Sequence, residues 1–291
     1  MIHIFTAGLL WGTVGIFVKQ LSALGVSPSQ MSLLRMFFGT LLLSVPAVLK
    51  HGRHILVLKT KALIWCALLG VISYGLFNLS YTRSIQSNGM GTASVLMYTA
   101  PVFTALASRI IFRERLTARK ILALVLNITG CVLTVTGGEL SPSSLNMAGI
   151  IFGISSGFCY GMSAVLGRLA CEYTDSFRVS LNSYVYALVF MLIFADKNIG
   201  AALMDKNVLA VSFLYGLIPT AAAYGLYYAG VSRMSSLSRV PVIASVEPIT
   251  ASLIGRFVYG EQLGAVNIMG TAVVLISIAI MVSRGQEKGN E

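Results

Sequence analysis

Two ionisable side chains stand inside apolar runs of the sequence. Glu247 lies in SVEPITASLIG, eight residues after Arg239 and nine before Arg256, and Arg35 lies in SLLRMFFG. At about 1.5 Å of helix rise per residue, Glu247 is near the middle of its run. A carboxylate so placed has three uses: it can titrate and carry a proton, bind a substrate amine, or pair internally, with Arg35 as the partner. An ionisable group in an apolar layer is costly and by default marks a working site that faces a wet cavity. Arg35 has two readings, a side chain that snorkels to a nearby polar boundary and a guanidinium that pairs with a ligand carboxylate. Aromatic and amide residues recur at the middles of the runs: Trp11, Tyr74, Asn78, Tyr81, Tyr98, Tyr160, Tyr184, Tyr224 and Tyr228. Each ring offers a flat apolar face, and Tyr and Trp add one polar handle, a lining suited to small amphipathic solutes. Trp11, Tyr98, Tyr160 and Tyr224 join Glu247 and Arg35 as the candidate ligand contacts, while Tyr81 and Tyr184 also suit an interfacial belt.

The elements that must position these groups are membrane helices. Hydrophobic residues make up 56% of the chain and charged residues 11%, with a mean hydropathy of +0.82. A soluble domain carries about 25% charge, so lipid is the solvent for most of this surface. Ten apolar stretches have the length that crosses roughly 30 Å of hydrocarbon: 2–21, 30–49, 62–82, 90–112, 119–137, 147–169, 179–195, 208–229, 239–258 and 264–283. They lack period-2 alternation, which favours helices over a barrel. The first stretch has no basic n-region and reads as a span rather than a cleaved signal.

The net charge of +11 is explained by topology. Fourteen Lys and Arg fall in the loops and tail on one side, among them Arg53, Arg113, Arg119 and Lys120, against five on the other. Basic residues concentrate on the cytoplasmic side, so both termini are expected there, in a cell membrane, with no nucleic-acid partner. Cys66, Cys131, Cys159 and Cys171 fall in or at the ends of spans without CxxC spacing, and His51 and His54 in KHGRH have no carboxylate or thiol set beside them. Neither a disulfide, nor a metal site, nor a cofactor is expected.

The chain repeats itself. YTAPVFTALASRIIFRE (98–114) and SVEPITASLIGRFVYGE (245–261) share Pro101/Pro248, Leu106/Leu253, Arg109/Arg256 and Glu114/Glu261, 147 residues apart. WGTVGIF (11–17) has its counterpart in YGMSAVL (160–166), and Tyr81 precedes Pro101 by the same twenty residues that separate Tyr228 from Pro248. Two five-helix halves, 1–139 and 147–285, follow, joined by GGELSPSSL and ending in a tail at 286–291. Five is odd, so the second half is inverted about an axis in the membrane plane, the arrangement that permits alternating access. The expected fold is therefore an all-α membrane protein of ten helices, in two inverted five-helix repeats around a central cavity.

These features together resemble the drug/metabolite transporter superfamily in its EamA-type branch: WG in the first span, SLLRMFFG in the second, and AP (100–101) or EP (247–248) followed by Glu114 or Glu261. The resemblance implies an exporter-like carrier of a small metabolite, often an amino acid or a related compound, with its cavity between the halves. Two positions depart from the glycine pattern: Ala123 stands where the second half has Gly270, and Ser277 where the first has Gly130. Competing classes lack their signatures. There is no GxxxxGK[ST] loop for an ATP-driven pump, no HExxH, paired intramembrane Asp or Ser–His set for an intramembrane enzyme, and no continuous polar lining for a channel. An uncoupled facilitator or an uptake permease remains the nearest alternative to a proton-coupled exporter.

Prolines 101, 219, 241 and 248 lie inside spans, where each tends to bend a helix. Pro101 and Pro248 are read as shaping the cavity and Pro219 as a packing kink. Gly149, Gly153, Gly157 and Gly161 form a four-residue stripe on the sixth span, and Gly8 and Gly12 a shorter one on the first. Such stripes let helices approach closely; packing between the halves is the first reading and a homodimer seam the second.

Overall fold

The computed structural model describes residues 1–52, 58–138, 146–194, 199–260 and 262–283. Expectations that rest on Arg53, His54, Lys197, Glu261, Arg284, Lys288, the middle of the linker (139–145) or the tail lie outside the described residues. Within them the chain is helical, with no strand. The long segments are α1 (Ile2–Ala23), α2 (Pro28–His51), α3 (Thr60–Met90), α4 (Thr92–Ile111), α5 (Ala118–Thr136), α6 (Met147–Cys171), α7 (Ser176–Ile193), α8 (Lys206–Val231), α9 (Arg239–Tyr259) and α10 (Ala265–Val282). Nine are long and apolar enough to cross a membrane. The other, α2, is a 24-residue helix that contains Arg35. A short helix, Ile199–Met204, precedes α8.

Polar residues at the helix ends explain where the segments start. Ser27 accepts from the Gln30 amide while Gln30 Oε1 accepts from Ser27 N, a capping box, with Pro28 in the first turn. Asn146, Asp175 and Asp205 cap α6, α7 and α8 through side-chain oxygens. These oxygens satisfy backbone donors that a helix end would otherwise leave open.

The two halves share their irregularities. α3 passes through a π-helical stretch at Leu69–Leu76, and α8 through another at Leu217–Ala222. α4 breaks at Tyr98 and Thr99, and α9 breaks at Ser245, each just ahead of its proline. α4 ends on Arg113 with φ 53, and α9 ends on Gly260 with φ 68. All three pairs are separated by about the 147 residues of the repeated phrase. The symmetry is incomplete at the first helix: α1 is interrupted at Thr13, whose hydroxyl turns back to Leu10 O at 2.7 Å, whereas α6 is continuous.

The halves interlock through the glycine stripes. A Cβ on Gly8 would fall 2.6 Å from Ala244 O, and one on Gly12 would fall 2.4 Å from Thr250. Correspondingly, a Cβ on Gly157 would fall 2.3 Å from Thr99 Oγ1, and one on Gly161 would fall 2.6 Å from Ala100 O. The first helix of each half thus rests on the broken helix of the other, α1 on α9 and α6 on α4. Only glycine permits that approach. The α6 stripe is covered within the chain, in line with the first reading given above. α5 and α10 cross just as closely, with Gly130 against Gly270 O.

Candidate functional site

The breaks in α4 and α9 bring the candidate residues to the centre of the bundle. Trp11 of α1 and Tyr160 of α6, equivalent in the two halves, face each other with ring centroids 6.2 Å apart. Each also packs on the other half's equivalent ring: Trp11 on Tyr224 at 5.0 Å, Tyr160 on Phe77 at 5.7 Å. Tyr227, Tyr74 and Tyr184 extend the cluster. Tyr184 is fully buried, which corrects its reading as a belt residue. Tyr74 and Tyr228 join hydroxyls across the halves, while Tyr81 stacks on Phe77 and bonds Ser94 at 2.9 Å.

Glu247 occupies the first turn of the helix that restarts after the Ser245 break. There the exposed N–H groups and the positive end of the helix dipole favour a negative charge. Its described hydrogen bond is a long one, from Tyr160 OH at 3.4 Å. Tyr98, Tyr160, Asn127 and Ser245 line a small cavity with it. Asn127 is buried and spends its amide donors on Ser245 Oγ and on Ser277 Oγ, the latter at 3.1 Å. Ser277, one of the departures from the glycine pattern, therefore supplies a partner to the cavity wall.

Arg35 points into the bundle. Its Nε donates to Thr220 Oγ1 at 3.0 Å on α8, and its guanidinium lies 5.1 Å from the centre of the Tyr215 ring. It is tied across to the other half, so snorkelling does not describe it. Thr220 is in place because the π turn lets its hydroxyl reach back five residues to Tyr215 O at 3.0 Å. Pro219 lies in that turn, so it does more than kink a packing helix. Arg35 and Glu247 both belong to this centre, within electrostatic range of Tyr224 and of each other, but they form no ion pair: the guanidinium goes to Thr220 and the carboxylate to Tyr160. The internal-pair reading of Glu247 is therefore not realised in this conformation. Trp11 Nε1 is buried without a partner among the described residues, and such orphans are uncommon in a native interior. No cluster of three His, Cys, Asp or Glu that could hold a metal occurs among the described residues.

A family model, the EamA-like transporter family, matches residues 1–136 and again residues 147–283. The chain belongs to the EamA-like transporter family. It is thus an integral membrane protein of a transporter family. An uncharacterized transporter of Archaeoglobus fulgidus is 29% identical, over 95% of this chain and 94% of that one. The uncharacterized inner membrane transporter YicL of Salmonella typhimurium is 22% identical, over 97% and 94%. The threonine/homoserine exporter RhtA of Escherichia coli is 25% identical over 70% of this chain and 66% of its own. One solved crystal structure matches with a TM-score of 0.78 at 16% identity, covering 97% of this chain and 96% of that one, a likeness of fold. In this EamA-like chain, sequence reasoning missed Thr220, Tyr215, Asn127 and Ser245 as parts of the site. The repeat carried a signal for the last, since Ser245 stands where the first half has Tyr98.

Proposed function

We propose that this EamA-like protein is a secondary transporter that exports a small zwitterionic metabolite, an amino acid or a close relative, by alternating access. It works without a bound cofactor and catalyses no covalent step. One observation carries the reading: an unpaired guanidinium and an unpaired carboxylate share an aromatic centre where the two inverted halves meet. A substrate carboxylate on Arg35 and a substrate amine on Glu247 would use the bonding capacity that neither residue spends on the other. Trp11 Nε1 adds a donor for the same ligand. The name of RhtA, a threonine/homoserine exporter, supports both the solute class and the direction. The charge asymmetry supports cytoplasmic termini, and a cysteine introduced at Arg119 should then resist labelling from outside intact cells. Protons are the proposed coupling ion, carried on Glu247 when no amine is bound. Uncoupled facilitation is the alternative.

The test is flux in proteoliposomes with and without a pH gradient. Zwitterionic amino acids should be moved, whereas the matching simple amines and simple carboxylates should not. Equal flux of a simple amine would remove Arg35 from recognition, and flux indifferent to the gradient would favour the facilitator.

A further inference from the structure

Glu114, the carboxylate that closes the first copy of the repeated phrase, is outside the central site, yet its bonds reach into the opposite half. The chain leaves α4 through Arg113, the one described non-glycine residue with positive φ, and Glu114 N returns to Ser108 O at 3.3 Å. That turn aims the carboxylate at residues 236–238, the entry to α9. Oε2 accepts from Leu237 N at 3.0 Å and Ser238 N at 3.3 Å. Oε1 accepts from Ser236 Oγ, Ser238 Oγ and Lys120 Nζ, the last at 3.0 Å. Lys120 is itself buried and also donates to Arg115 O at 3.1 Å. A left-handed conformation is costly for an ordinary residue, and here it delivers a carboxylate to five donors.

The rest of α9 connects this clasp to the site. From 238 the chain runs through Arg239–Ala244 to the break at Ser245, and Glu247 follows. Glu114 therefore fixes, from the first half, the end of the rod that carries Glu247 in the second. The first half lacks the matching side-chain donors: Gly89, Met90 and Gly91 stand where α9 has Ser236, Leu237 and Ser238, and Asn267 stands in place of Lys120.

We propose that Glu114 is a positioning residue of the transport cycle. Its clasp on 236–238 closes the end of the bundle where α5 starts and α10 ends, and the lack of matching hydroxyls at 89–91 makes this the resting conformation. The proposal rests on the alternating-access reading, since a latch matters only if the halves exchange conformations.

Amide hydrogen exchange on the full chain in detergent, without substrate, tests it independently of any transport assay. Glu114→Gln should speed exchange at 236–244 by roughly tenfold, the loss of a charge-assisted hydrogen bond, and should slow exchange at 89–97 as the opposite end closes. A merely structural Glu114 would loosen its own neighbourhood and leave 89–97 unchanged, or would loosen both ends; either result overturns the proposal. Gly91→Ser places one hydroxyl at the position equivalent to Ser238 and leaves the Glu114 clasp intact. It should move both segments in the same directions as Glu114→Gln, by a smaller factor, and exchange at 89–97 that stays unchanged or rises overturns the proposal as well.

Discussion

Trp11 and Tyr160 hold the same place in the two halves and meet ring to ring, 6.2 Å apart, at the centre of the molecule. Around them several features of one half have a mate in the other: Tyr224 for Phe77, the Ser245 break for the Tyr98 break, Gly8 and Gly12 for Gly157 and Gly161. Glu247 has no such mate, because Ala100 stands at the equivalent position. On the proposed reading, this lone carboxylate would let a single proton or a single amine decide the state of both halves.

Gly157→Leu tests the interlock of α6 with α4. With a Cβ 2.3 Å from Thr99 Oγ1, the larger side chain must push the helices apart by ångströms, at an overpacking cost of about 1–3 kcal/mol. The span remains apolar enough to insert. Membrane yield should stay near that of the parent while transport falls at least tenfold. A parent-like rate in the Leu variant would mean that the close approach is irrelevant to the cycle.

Arg113 offers a test of backbone strain with a built-in control, since its mate is Gly260, also at positive φ. Arg113→Gly removes a penalty of about 1–2 kcal/mol, offset in part by about 0.5–1 kcal/mol of added backbone entropy. Its melting temperature should therefore hold or rise. Arg113→Val places a β-branched residue where such residues are outliers and should melt earlier. The reverse order would show that the turn is not left-handed in the membrane-embedded protein.

Acid should act on the Glu114 clasp at an unusually low pH. Burial pushes its carboxyl upward, but the hydroxyls of Ser236 and Ser238 and the Lys120 ammonium outweigh that and hold it below the ordinary carboxylate range. A depressed carboxylate adds stability that is complete above its unfolded value and is lost as pH falls through the lowered one. Thermal melts of the parent from pH 7 downward should show this loss beginning where free carboxylates titrate and reaching completion only below that range. Glu114→Gln, facing the same Lys120, should melt lower at neutral pH and lose less on acidification. A clasp that fails near neutrality in the parent would contradict the geometry.

How much of this was legible before the coordinates depended on which residues had a mate. The ten helices, the inversion and the bends near Pro101 and Pro248 follow from hydropathy and from a phrase written twice. The π turns do not: Pro219 marks one, but Ile72 stands at the equivalent place in the other, so no residue type announces the pair. Thr220 was consequently missed as the partner of Arg35, because only the π turn brings its hydroxyl round. Glu114 was noticed as part of the repeat but given no task, since its donors are backbone and serine groups 122–124 residues away. Tyr184 was misjudged because span length alone does not reveal depth within a bundle.

Glu247→Gln separates the roles open to the central carboxylate. Gln keeps the shape and can still accept from Tyr160, but it neither titrates nor carries charge. If Glu247 alternates between a proton and nothing, gradient-driven flux should vanish while exchange between equal pools continues. If it also holds the substrate amine, as proposed, exchange should weaken as well, with apparent affinity falling by the roughly 2–5 kcal/mol of a broken buried charge pair. If it merely supports the fold at the Ser245 break, the variant should melt earlier while its folded fraction transports normally. Driven flux, equal-pool exchange and a melting curve on one preparation tell these apart. Arg35→Gln is the companion measurement: a zwitterion held at both ends should lose affinity in either variant, and a simple amine only in the Glu247 variant. Unimpaired driven flux in a well-folded Glu247→Gln protein would take the carboxylate out of the mechanism and leave Arg35 and the aromatic cluster as the whole of the site.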